Sequence, residues 1–166
     1  MKNKPMTYLI IVAATLSTSL AAGLFYAYSC SVNPGLGRLA DADYLKAMQS
    51  INRAILNPVF FATFLGTVIL LPLATWLSYE PQPSKQFWYF LAAALLYIVG
   101  VFGVTIAGNV PLNDALDKIN IPASTAEQLS QHRQAFEARW SMFHTIRTVA
   151  NVLSALLAIL GCLAKR

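Results

Sequence analysis

Charge is what this sequence has least of. Only 11% of its 166 residues are Asp, Glu, Lys or Arg, against about 25% in a soluble domain, and that shortage excludes an ordinary water-soluble fold. Seven acids face twelve bases, a formal charge of +5. In so apolar a chain the excess concerns orientation and lipid headgroups, not nucleic acid. Cysteine is nearly absent too. Cys30 and Cys162 sit near opposite ends of different apolar segments, so a disulfide between them is not expected. The two histidines, His132 and His144, would be about 18 Å apart on a straight helix, too far to share an ion. Cys-x-x-Cys, His-Glu-x-x-His and a nucleotide-binding glycine loop are all missing. Nothing here points to zinc, haem, copper or a nucleotide, and neither metal nor cofactor is expected.

What the chain does have is apolar length. It is 57% hydrophobic with a mean hydropathy of +0.54, and four runs approach the roughly 20 residues that cross a bilayer core. They lie at about 8–28, 59–79, 88–108 and 143–163. The first follows Lys2 and Lys4, and reads as a retained span in preference to a signal peptide because of its length. Ala14, Ser17, Ala21 and Ala22 give it a face of small side chains for a neighbouring helix. Gly35 and Gly37 are expected to break the chain after it. Asp41 to Leu56 then reads as an amphipathic helix, with Tyr44, Met48, Ile51 and Ile55 on one face and Asp41 or Asp43 as cap. It either lies on the bilayer or covers a pocket with Asn52 turned inward.

Pro58 opens the second span where a helix tolerates proline, and Pro72 inside it predicts a kink. Phe87, Trp88 and Tyr89 form an aromatic belt at the start of the third. Pro111, in Gly108-Asn-Val-Pro-Leu-Asn113, is expected to end that span. Ser124 and Glu127 match a capping box, and nothing breaks the helical pattern from there to Leu163. A single helix of about 39 residues, near 58 Å, is too long for the membrane, so its first half should project outside. There are no internal repeats. The fold class expected is an all-α integral membrane four-helix bundle, one domain over residues 1–166, with an amphipathic helix in the first outer loop and a long projecting last helix.

The last run also carries polar residues. At about 100° per residue, Trp140, His144, Arg147, Asn151 and Ser154 fall within an arc of roughly 80°, a single stripe. Ionisable groups at such depth are costly unless they face a cavity or partner. Counting about 20 residues along each span brings Tyr28, Asn57, Asn109, Asn113, His144 and Arg147 to one edge of the bundle, whichever way it is inserted. A histidine, an arginine and asparagines under an aromatic rim make a candidate pocket. For each residue a plainer role is open: Arg147 snorkelling to headgroups, Trp140 as belt aromatic, Asn109 and Asn113 as turn residues, His144 as a packed core side chain.

Met48-Gln-Ser-Ile-Asn52, Asn109-Val-Pro-Leu-Asn113 and Trp140-x-x-x-His144-x-x-Arg147 together resemble the anthrone oxygenase family, over most of the chain. The resemblance implies an oxygenase that converts an anthrone- or hydroquinone-like aromatic molecule with molecular oxygen and no recognised cofactor. The residue types suit that chemistry. His144 is placed as base, with Arg147, Asn109 and Asn113 as oxyanion partners. Trp140 and Tyr28 would stack on the rings, with Asn52 and Asn57 at the pocket edge. Two other classes stay open: a non-catalytic membrane subunit or lipid-binding protein, and a small transporter, which one polar cluster at one edge disfavours. Expected partners are the lipid bilayer, a flat aromatic or quinone-like molecule and molecular oxygen; a homo-oligomer stays open. Lys2, Lys4, Lys85, Lys165 and Arg166 fall on one side with Glu80, so both termini are expected in the cytoplasm of a bacterial inner membrane.

Overall fold

A computed structural model describes residues 4–164. Lys2, Lys165 and Arg166, on which the orientation expectation leans, lie outside the described residues. Within them the chain is helical throughout its regular structure, with no strand. Four rods are long and apolar enough to cross a membrane, and the protein is an all-α membrane bundle.

The first rod is α1 (Lys4–Ala27), a π-helical turn Tyr28–Val32 and α2 (Asn33–Leu36). It therefore runs well past the expected end at Tyr28. Gly35 lies inside it, and only Gly37 stands at its C-terminal cap. After α3 (Asp41–Ala54) comes the second rod, α4 (Pro58–Ser78), opened by Asn57, whose side chain accepts from the Phe60 N–H. Pro72 is accommodated inside it.

The third rod overturns the expectation at Pro111. It starts as α5 (Lys85–Leu95), passes through π-helical turns Leu96–Gly103 and Thr105–Asn109, and ends as α6 (Val110–Asp117). The Val110 N–H bonds the Thr105 carbonyl, five residues back, so the turn ahead of the proline is wide. Pro111 then falls in the first turn of the resuming α segment, where a missing N–H is harmless. The same device precedes Pro34: the Asn33 N–H bonds the Tyr28 carbonyl.

The last rod, α7 (Ala126–Leu163), is one unbroken helix of 38 residues. Its capping box is Thr125 with Gln128, one residue on from the expected Ser124 and Glu127. A 3₁₀ turn at Ile121–Ala123 leads Ser124 to donate back to the Asn120 carbonyl, which leaves Thr125 at the helix start.

Two cores share α7. The membrane half packs Phe25, Phe64, Leu71, Phe90, Tyr97 and Val101. The expected small face of α1 is used, with Ala14, Ser17, Ala21 and Ala22 all buried and Ser17 bonded to the Thr63 carbonyl and the Thr67 hydroxyl of α4. The outer half of α7 does not project alone. Leu129, Phe136 and Trp140 pack with Tyr44, Leu45 and Met48 of α3 and Leu116 of α6. The apolar face of α3 is thus buried on protein, not on lipid. Neither Asp41 nor Asp43 caps α3; Ala40 holds that place without a side-chain bond, and Asp41 pairs instead with Arg133. Arg133 also donates to the Gly37 and Leu39 carbonyls and to Glu137, tying the first outer loop to α7.

Candidate functional site

All five residues of the α7 stripe are buried: Trp140, His144, Arg147, Asn151 and Ser154. Where the bundle meets its outer layer, a cavity of about 510 Å³ opens, within the range that holds small aromatic ligands. Its walls are mostly aliphatic and aromatic. Its polar groups come from Tyr28, Asn52, Asn57, Thr105, Asn113, Trp140 and Arg147. Six of the eight residues nominated from sequence therefore meet on one wall system, and two do not.

Arg147 is the centre of it. The residue is 9% exposed; its guanidinium lies 4.5 Å from the Phe25 ring centroid and 5.3 Å from that of Trp140, and donates to Thr105 Oγ1 at 3.4 Å. Nη2 stands 3.3 Å from His144 Nδ1, and among the described residues Nε has no partner. The ion pairs of the described residues involve Lys46, Arg53 and Arg133, so no carboxylate among these residues neutralises Arg147. Aromatic faces soften the burial of a cation but do not replace an anion.

His144 stands one side chain behind the wall, outside the cavity lining. Its ring is stacked on Trp140 with centroids 5.0 Å apart and lies 5.4 Å from that of Tyr28. Nε2 is 2.8 Å from Ser29 Oγ. Because the Ser29 hydroxyl donates to the Phe25 carbonyl, it accepts from His144, which puts the imidazole proton on Nε2. Nδ1 is then the acceptor facing Arg147.

Asn109 is also off the wall. It is fully buried and donates to the Trp140 carbonyl at 3.2 Å, so it holds α7 instead of facing a ligand. The physical reason is depth along one face: Asn109 and Asn113 are one helical turn apart and both meet Trp140, Asn109 at its carbonyl and Asn113 at its indole, and only Asn113 reaches the cavity. Asn113 accepts from Trp140 Nε1 at 2.8 Å, and its NH₂ remains to serve the cavity. Asn57 is committed at both ends, to the Phe60 N–H and the Ala54 carbonyl. Asn52 is different: it lines the cavity from α3, and its buried Nδ2 has no partner among the described residues.

Sequence reading missed Phe25, Ser29 and Thr105, which respectively cover Arg147, hold His144 and anchor Arg147. Phe25 and Ser29 are four residues apart and flank Tyr28, a helical spacing that was available. A span ended at Tyr28 concealed it.

Fold and site together define a membrane-embedded helical bundle that presents a buried, unneutralised arginine to an aromatic cavity. The family model for Anthrone oxygenase matches residues 46–157, and the chain belongs to that family. No curated protein and no solved structure matches it significantly.

Proposed function

We propose that this protein is an oxygenase that oxidises an anthrone- or hydroquinone-like aromatic molecule with dioxygen, without a cofactor. The observation that carries the reading is Arg147: a buried guanidinium with no carboxylate partner among the described residues, on the wall of a largely apolar, partly aromatic cavity. Such a cation favours a ligand that is or becomes an oxyanion, and the surrounding rings favour a flat one.

An anthrone loses a proton from its CH₂ group to give a carbanion delocalised onto the ring oxygen. Arg147 holds that oxygen, helped by the NH₂ of Asn113. Drawing the guanidinium toward the oxyanion releases its long contact with His144, whose Nδ1 is then open to take the proton. Dioxygen adds to the carbanion carbon, forming a C–O bond and a peroxide anion, which takes back the proton from His144 to become the hydroperoxide. Loss of the second C–H proton with cleavage of the O–O bond yields the new carbonyl and water. One oxygen atom stays in the quinone and the other leaves as water; the substrate supplies all four electrons. Trp140 and Tyr28 hold the ring plane, and Asn52 donates to a second ring oxygen.

The test is oxygen uptake with anthrone in proteoliposomes. Arg147→Lys keeps the charge but loses the planar fork of donors and should lower kcat by about 10²–10³-fold, the scale of a lost oxyanion donor. His144→Asn keeps an acceptor for Arg147 but cannot take the proton, so it should abolish turnover as fully as His144→Ala. Full activity in His144→Asn reduces His144 to a positioning residue. Full activity in all three variants leaves the stripe as packing, and the chain as a non-catalytic membrane subunit or lipid-binding protein.

A further inference from the structure

The cavity has a closed side and an open side, and they face different solvents. Toward the outer aqueous layer the end of α3 covers it with Ile51, Asn52 and Ile55, while Leu56, in the link to α4, lines its rim and is 65% exposed at the level of the α4 outer end. That roof is fastened. Gln49 donates to the Leu116 and Ile119 carbonyls at 2.9 and 3.1 Å, and Tyr44, Leu45 and Met48 are buried in the outer core. Asn52 Nδ2 beneath it is shielded from solvent. Toward the membrane centre the floor is closed by Phe64, whose ring stands 6.3 Å from Tyr97 and 5.8 Å from Phe102, with the Tyr97 hydroxyl bonded to the Phe64 carbonyl.

Sideways, the walls are incomplete. Leu65 of α4 and Ile106 of the third rod both line the cavity, yet are 41% and 51% exposed. Ser17 of α1 is held by Thr63 and Thr67, so those residues mark the α1-facing side of α4. At 100° per residue, Leu65 points about 160° away from either threonine, on the flank away from α1. Leu65 lies seven residues into α4, about 10 Å below its outer end at 1.5 Å per residue. With a helix of 21 residues, about 31 Å and so one hydrocarbon thickness, that depth is inside the acyl region.

We propose that the cavity is loaded from the bilayer, through the gap between Leu65 on α4 and Ile106 on the third rod, and that its natural ligand is an uncharged, lipid-soluble aromatic molecule. The molecule arrives neutral through acyl chains and acquires its charge only at Arg147, which pairs with no carboxylate among the described residues. That the molecule becomes charged at Arg147 rests on the oxygenase reading; the loading route stands on the geometry of the walls.

The experiment uses the full chain in phosphatidylcholine proteoliposomes, with Trp76→Phe and Trp88→Phe so that Trp140 alone reports. The probe is anthraquinone, which is flat and cannot be oxidised by this reaction, and its binding is followed by quenching of Trp140. The observed association rate should follow the mole fraction of anthraquinone in the lipid, falling as protein-free lipid of the same vesicles is increased at constant total probe. Leu65→Phe with Ile106→Phe should slow association and dissociation together by about tenfold, with less than a threefold change in Kd, the behaviour of a narrowed passage. Leu65→Ala with Ile106→Ala should speed both, which excludes simple misfolding as the cause. An association rate that tracks aqueous probe and is indifferent to both pairs overturns the proposal. Lipid-dependent binding without oxygen uptake on anthrone leaves the loading route standing and removes the oxygenase reading. Oxygen uptake with association indifferent to the gap does the reverse.

Discussion

Trp140 does more than its place in an aromatic belt would require. Its Nε1–H holds Asn113, its carbonyl is held by Asn109, and its ring supports His144. Trp140→Phe keeps the stack and loses only the indole donor. It should leave the fold intact and lower kcat/KM for anthrone by about tenfold, because freeing Asn113 costs one net hydrogen bond of about 1 kcal/mol and its alignment. Asn109→Ala removes a buried bond away from the cavity. Its signature should be a lower melting temperature, matching about 1–3 kcal/mol, with KM unchanged. A large KM effect for Asn109→Ala with normal melting would return Asn109 to the ligand. Asn109 and Asn113 differ by four residues, one helical turn along the same face.

At the scale of elements, the wide turns explain how two prolines sit inside membrane rods next to the cavity. A proline in an α-helix interior breaks a bond and clashes with the carbonyl four residues back; a preceding π turn shifts the bonding register and opens that space. Close approach explains the glycines that matter. A methyl on Gly100 would stand 2.7 Å from the Ala150 Cβ of α7, and neither atom can swing away. Gly100→Ala should therefore destabilise the protein by about 1–3 kcal/mol, the usual cost of overpacking, seen as a fall in melting temperature. In α7, Ala135→Pro should cost about 3 kcal/mol or more. Because Leu129, Phe136 and Trp140 carry the outer core, that change should also loosen α3, measured as faster hydrogen exchange over residues 41–54.

At the scale of the whole molecule, four spans are expected to put both termini on one side. A reporter fused after Arg166 is expected in the cytoplasm, and one inserted near Ala123 outside. Both reporters on the same side would remove the four-span arrangement. The outer layer of α3, α6 and the first half of α7 then forms a roof on the far face, with the cavity beneath it at the membrane edge. The cavity draws on both layers: the membrane half supplies the floor and Arg147, and the outer layer supplies Asn52 and Asn113.

Sequence alone determined the parts that depend on length and period. Four apolar runs specify four rods because a bilayer has one thickness, and the stripe from Trp140 to Ser154 faces inward because 3.6 residues per turn align those positions and burial selects their side. The unbroken α7 was legible for the same reason, since no Gly or Pro interrupts it before Gly161. Tertiary structure decided what period cannot reach. The wide turns at Tyr28–Val32 and Thr105–Asn109 reset the helical phase, so a count at 100° per residue fails beyond them. Their placement carried two helices past the ends that hydropathy marks, and Ser29 and Asn109, each one residue beyond a marked end, meet His144 and Trp140 of α7. That His144 stands behind Arg147, not beside it, follows from Tyr28 and Trp140 closing over its ring, a contact between the first and last rods. A pattern read along one helix holds the direction of a side chain but not what another helix places in front of it.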